Sequence, residues 1–246
     1  MSNTKTVMGQ ASNQYVVPLD ITDVFSTYLY TGNGSTQTIT NGIDLDGEGG
    51  LVWTKSRSDS NTLNQLFDTE RGAGYTLWTS SNSFLPNAST AAQSYNIGRV
   101  SAFNSNGFSV GSGASNTNGQ DFASWTFRKA PKFFDVVTYT GTGSAQNISH
   151  DLGSVPGMVI TKRTDASENW HTYHRGLDSS TPENKYVMLN KTNAVQSAST
   201  IWNDTAPTST QFTVGSGNTN TSGGTYVAYL FAHNDGDGGF GPDGDQ

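Results

Sequence analysis

Cysteine is absent from the 246 residues, which removes disulfides, thiolate metal sites and thiol nucleophiles in one step. Charge is scarce as well. Charged side chains make up 13%, against roughly a quarter in an ordinary soluble domain, so solubility has to come from Ser, Thr, Asn, Gln and Gly. Basic charge is the scarcer sign: 13 Lys and Arg stand against 20 Asp and Glu, a net charge of −7 and a pI of about 4.9. A nucleic-acid phosphate backbone is repelled by such a surface, which excludes nucleic acid as a partner. No run approaches the ~18 to 20 apolar residues of a membrane span, so no membrane insertion is expected. The N-terminal MSNTKTVMGQASNQYVVPLD has no apolar export segment. Amphipathic helix is missing too: the best candidate, Ser89 to Asn96, is short and lacks an apolar stripe.

What is present is a duplication. FSVGSG occupies 108–113 and FTVGSG occupies 212–217. Outward from these, Tyr30-Thr31-Gly32-Asn33-Gly34-Ser35 matches Tyr139-Thr140-Gly141-Thr142-Gly143-Ser144. Leu51-Val52-Trp53-Thr54-Lys55 parallels Met158-Val159-Ile160-Thr161-Lys162, Arg71-Gly72 parallels Arg175-Gly176, and Phe122 to Phe127 parallels Tyr226 to Phe231. The blocks keep their order at offsets of 104 (Gly111 to Gly215) to 109 (Tyr30 to Tyr139), which is the mark of an internal repeat.

Each unit reads as short strands. Tyr28 to Tyr30, Leu51 to Lys55, Gln65 to Asp68, Tyr75 to Thr79, Phe108 to Val110 and Phe122 to Phe127 are β-branched or aromatic runs bounded by Gly, Asn, Asp and Ser. In the last run Phe122, Ser124 and Thr126 alternate with Ala123, Trp125 and Phe127, so one set faces inward. The expected fold is all-β: two tandem antiparallel β-sandwich repeats of jelly-roll or lectin-like type. The expected organisation is an N-terminal arm over 1–23, repeats over 24–130 and 131–234, and an acidic Gly-rich linker or tail over 235–246.

Gly50 to Lys55, Leu66-Phe67-Asp68-Thr69-Glu70-Arg71-Gly72, Ala102 to Phe108, Tyr173-His174-Arg175-Gly176-Leu177 and Tyr226 to His233 together resemble a repeat of tail-fibre and related virion structural proteins of marine bacteriophages. The resemblance covers roughly 24–234. It implies a lectin-type or SPRY-like β-sandwich in a non-enzymatic protein of a tail fibre or surface appendage, made in the host cytoplasm and carried on the virion surface. The implied partners are other virion proteins and sister copies, a trimer being favoured, with a host-surface glycan as candidate ligand. No catalytic residues transfer with it. The competing reading is a lectin-like carbohydrate-binding module of a bacterial surface or secreted protein.

Candidate chemistry is sparse. His171 and His174 fall three apart; on a strand they point to opposite faces and cannot share a metal. Asp235, Asp237, Asp243 and Asp245 lack the spacing of a Ca²⁺ loop. Asp44, Asp46 and Glu48 sit in a Gly-rich stretch where solvated loop acids are expected, and no nucleophile-elbow, zincin or P-loop pattern occurs. The two GSG motifs lack the lysine and following helix of a phosphate cradle and read as turns. Neither cofactor nor metal nor catalytic residue is expected. Tryptophans remain, since sugar rings stack on exposed indoles. Trp53 and Trp125 have the counterparts Ile160 and Tyr229 and are assigned to the core, which leaves Trp78, Trp170 and Trp202 as the ligand-binding candidates.

Overall fold

A computed structural model describes residues 19–81 and 83–233. The expected acidic tail and all but the last residues of the N-terminal arm therefore lie outside the described residues. Strand takes 39% and helix 7%, so the fold is all-β with antiparallel sheets.

The first half carries β1 (Phe25–Thr31), β2 (Gln37–Thr40), β3 (Gly50–Ser56), β4 (Gln65–Asp68), β5 (Tyr75–Trp78), β6 (Ser94–Tyr95), β7 (Val100–Asn104), β8 (Gly107–Val110) and β9 (Asp121–Arg128). The second carries β10 (Phe134–Thr140), β11 (Gln146–Ser149), β12 (Met158–Arg163), β13 (His171–His174), β14 (Lys185–Met188), β15 (Gln196–Ser197), β16 (Gln211–Val214) and β17 (Thr225–Phe231). Their large sheets run β1-β9-β3-β4-β5-β6 and β10-β17-β12-β13-β14-β15, the same order in each half. The small sheets are β2-β8-β7 and β11-β16. A one-turn helix, Ser199–Trp202, stands in the second half at the chain position of β7.

In each half an apolar core gathers side chains from the large and the small sheet. Tyr30, Val52, Phe67 and Phe122 meet Ile39, Val100, Phe108 and Val110 in the first; Val159, Tyr173, Ala228 and Leu230 meet Ile148, Phe212 and Val214 in the second, where Ile201 and Trp202 of the helical turn join them. The aromatic geometry is repeated closely. Tyr30 stacks on Phe122 at 5.1 Å and meets Phe108 edge-on at 6.4 Å; Tyr139 stacks on Tyr226 at 5.0 Å and meets Phe212 edge-on at 6.3 Å.

The GSG motifs belong to this duplicated geometry. Asn116 and Asn220 are fully buried and lie just beyond the two motifs. The Asn116 amide accepts from the Asn33 N–H and donates to the carbonyls of Ser35 and Gly111. The Asn220 amide accepts from the Thr142 N–H and donates to those of Ser144 and Gly215. Each asparagine thus ties the turn after the first strand to the first glycine of GSG, satisfying backbone groups that burial would otherwise orphan. Gly32 and Gly141 permit the approach: a Cβ on either would come within 2.2 Å of the carbonyl oxygen of Thr117 or Thr221.

The halves are fused through a third apolar core. Leu51, Leu66 and Leu77 of the first half pack with Phe134, Val136, Ile160, Trp170, Val227 and Tyr229 of the second. These side chains project from the faces of the large sheets opposite their own inner cores, so the two large sheets meet back to back. Backbone hydrogen bonds cross the seam as well, from the Gln93 N–H to the Thr164 carbonyl and from the Glu168 N–H to the Thr90 carbonyl, both at 2.8 Å.

Candidate functional site

The back of the first large sheet positions one open aromatic surface. Register places Trp53 of β3 beside Trp125 of β9, and Trp125 beside Thr27 of β1; one step along, Leu51, Phe127 and Phe25 form the next row. The second half covers Leu51, Leu66 and Leu77, while Trp53 packs at the margin of that third core and Trp125 stands beside it, both half-buried. Trp53, Asn64, Trp125 and Phe127 line a groove of about 250 Å³. The indole rings lie 6.1 Å apart at 69°. Trp53 Nε1 donates to Asn64 Oδ1 at 3.2 Å, and Asn64 Nδ2 donates to Ser80 Oγ at 3.3 Å.

The assignment of Trp53 and Trp125 to the core is thereby narrowed: Trp53 packs against the third core at its margin, and both half-buried rings line the groove. Their counterparts Ile160 and Tyr229 lie inside the third core, whereas Trp53 reaches only its margin and Trp125 is half-buried beside it. The signal for it in the sequence was the presence of a tryptophan in only one copy at both positions.

The expected ligand-binding tryptophans fare differently. Trp170 is 0% exposed in the seam, with Nε1 donating to the carbonyls of Trp78 and Ser89 at 3.0 and 2.9 Å. Trp202 is 3% exposed and packs edge-on against Tyr173 in the second core. Neither ring offers a face to a sugar, because docking of the halves buries the first and the helical turn buries the second. Trp78 is half-exposed, but the Arg99 guanidinium lies over its ring at 5.1 Å. The three are not brought together into one surface.

Charge inside the molecule is concentrated at the seam. Asp68 and Arg71 form a buried pair with Arg71 Nε 2.6 Å from Asp68 Oδ2, and Tyr229 of the second half donates its hydroxyl to the same oxygen at 2.7 Å. Arg71 also donates to the Leu66 carbonyl and to the Tyr229 oxygen. Burial opposes the Arg71 charge, but Asp68 and Tyr229 outweigh it and hold the guanidinium above its ordinary value. Burial drives the Tyr229 hydroxyl well up, against Arg71 and with Asp68, so it stays a donor.

Lys162 is also buried and donates to the carbonyls of Thr90 and Arg163 at 3.2 and 2.7 Å. Burial pushes its ammonium down to about 8, with Arg71 and Arg163 reinforcing and Glu168 opposing. Between about pH 8 and the unfolded value of ~10.4 the unfolded chain holds this proton after the folded chain has released it. The unfolded state therefore binds more protons in that window, and the Lys162 contribution to stability rises with pH. Urea titrations from pH 7 to 10 are expected to show that rise in the parent and its loss in Lys162→Met, which is also the more stable chain at pH 7.

His171 is buried against Tyr186, whereas His174 is exposed and accepts from the Gly176 N–H, so the strand points them apart. Asp44 accepts from the Gly47 N–H to close a turn, Asp46 is exposed, and Glu48 lies 3.9 Å from Arg128. Among the described residues no three His, Asp or Glu side chains are grouped to hold a metal ion, and no helix is long and apolar enough to cross a membrane. A second cleft, of about 360 Å³, runs beside the seam with Arg71 and Gln93 facing the hydroxyls of Thr138, Thr140, Thr164 and Thr225. Its one guanidinium is already held by Asp68 and Tyr229.

No curated protein and no solved structure matches the chain. The family model described as Domain of unknown function (DUF7483) matches residues 20–242. That match takes in both strand sets and the seam between them, and on that span the chain belongs to the DUF7483 family.

Proposed function

We propose that this chain is a non-enzymatic structural module of a bacteriophage virion, part of a tail fibre or similar surface appendage that contributes to host adhesion. In this reading 24–130 and 131–234 are two tandem copies of one β-sandwich repeat. The module assembles with sister copies, as a trimer, and with other virion proteins. The observation that carries the reading is the seam. The same strand order and the same asparagine-locked turn occur twice, and the buried Asp68–Arg71 pair of one half takes up the Tyr229 hydroxyl of the other. A stiff element of this kind suits transmission of load along an appendage, and symmetric assembly multiplies weak contacts through avidity.

The competing reading, a lectin-like module of a bacterial surface or secreted protein, is favoured by the Trp53–Trp125 groove alone. Particles purified from lysates in which the gene is expressed from its native genome separate the two. Peptides of the chain are expected in those particles at a fixed ratio to capsid protein, with antibody labelling at the tail and a trimeric mass in solution. Absence from the particles, with the chain recovered on the host surface or in the medium, overturns the proposal.

A further inference from the structure

We propose that the groove of Trp53, Trp125, Phe127 and Asn64 is a carbohydrate site that takes the apolar face of one neutral pyranose ring. This rests on the adhesive part of the reading above and names the chemistry of its contact.

Two indole planes meeting at 69° with centroids 6.1 Å apart make a corner, a floor and a wall, for a ring that is rich in C–H on one face and at its edge. Stacking on aromatic surface supplies the attraction. Asn64 stands at the side of that corner with its oxygen on the Trp53 N–H; an amide oxygen has a second lone pair for a sugar hydroxyl. The exposed Thr27 hydroxyl lies directly across from Trp125 on the neighbouring strand. Few polar groups around an apolar surface is the pattern of small-molecule sites.

Charge and size decide the occupant. No lining residue is ionisable, and a chain of net charge −7 disfavours a polyanion, which points to a neutral sugar. A groove of about 250 Å³ formed by four side chains lies below the ~300 Å³ at which pockets for drug-sized molecules begin. It is also far short of the roughly 20 to 30 residues a side of a stable protein interface, so a second copy is not held by it alone. The corner is braced, because Trp53 and Phe127 pack against the third core. It is therefore set before the ligand arrives, which lowers the ordering cost of binding.

The test uses the five tryptophans as reporters. Indole N–H resonances of the ¹⁵N-labelled chain are assigned by single Trp→Phe variants. The chain is then titrated at millimolar concentration with methyl β-D-glucopyranoside, methyl β-D-galactopyranoside, methyl α-D-mannopyranoside and N-acetylglucosamine. Saturable shifts of Trp53 and Trp125 are expected with at least one sugar, while Trp170 and Trp202 stay in place. Trp125→Ala, checked for fold by its thermal melt, is expected to weaken binding at least roughly tenfold; Asn64→Ala weakens it too and serves if the first variant melts early. Silence of both indoles with all four sugars, undiminished affinity in Trp125→Ala, or shifts that follow protein rather than sugar concentration each overturn the site. None of these outcomes touches the particle experiment, so the site and the appendage reading fail separately.

Discussion

Arg71→Met is expected to destabilise the protein by about 3–5 kcal/mol. The substitution leaves Asp68, which is 0% exposed, with the Tyr229 hydroxyl and the Arg71 backbone N–H as its remaining donors. Removing one member of a buried pair strands the other's charge in a medium that solvates it poorly. For a chain of this size that corresponds to a fall of roughly 10 °C in melting temperature. Urea denaturation checks the number, and Asp68→Leu/Arg71→Met checks the cause. With both charges replaced by apolar groups, the double variant is expected to be more stable than Arg71→Met alone, since a well-packed apolar pair often matches a buried ionic one. A loss below about 1 kcal/mol in the single variant would mean that water reaches Asp68 and that the seam is looser than described.

Trp170→Ala is the second large effect, expected at about 3–5 kcal/mol. It empties the largest fully buried side-chain site in the third core and withdraws the N–H shared by the Trp78 and Ser89 carbonyls. Both halves lose contacts at once, so the variant is expected to unfold with a lower denaturant midpoint throughout rather than in one half. Trp125→Ala provides the contrast: a half-buried ring at the margin of the groove should cost no more than about 1 kcal/mol. Equal losses in the two variants would contradict the burial difference on which the groove rests.

Much of the strand content was legible. Gln65 to Asp68 is β4 residue for residue, and Leu51 to Lys55, Tyr75 to Thr79 and Phe122 to Phe127 fall within a residue or so of β3, β5 and β9. The alternation in β9 separated its two faces, Phe122 entering the inner core and Phe127 packing against the third, without saying which was which. Among the elements missed are Gln37–Thr40, a polar strand with one buried residue, the short Ser94–Tyr95 and Val100–Asn104 strands, and the Ser199–Trp202 turn. The seam was not legible at all. Asp68 and Arg71 look like an ordinary (i, i+3) pair, and nothing local announces that the Tyr229 hydroxyl arrives from 161 residues away. Trp170 was misplaced for that reason, whereas Trp202 is buried inside its own half by the helical turn. Alternation along a strand separates its two faces, but which back face is covered depends on how two finished sheets dock.

Where the ions sit has a consequence for the medium the molecule can inhabit. Exposed ion pairs fade as dissolved salt shortens the reach of electrostatics to ~3 Å at molar strength, whereas buried pairs are screened much less. Arg71 and Asp68 are 4% and 0% exposed, and most of the outer surface is held in solution by hydroxyls and amides. Such a body should keep its shape nearly unchanged from dilute buffer to brine.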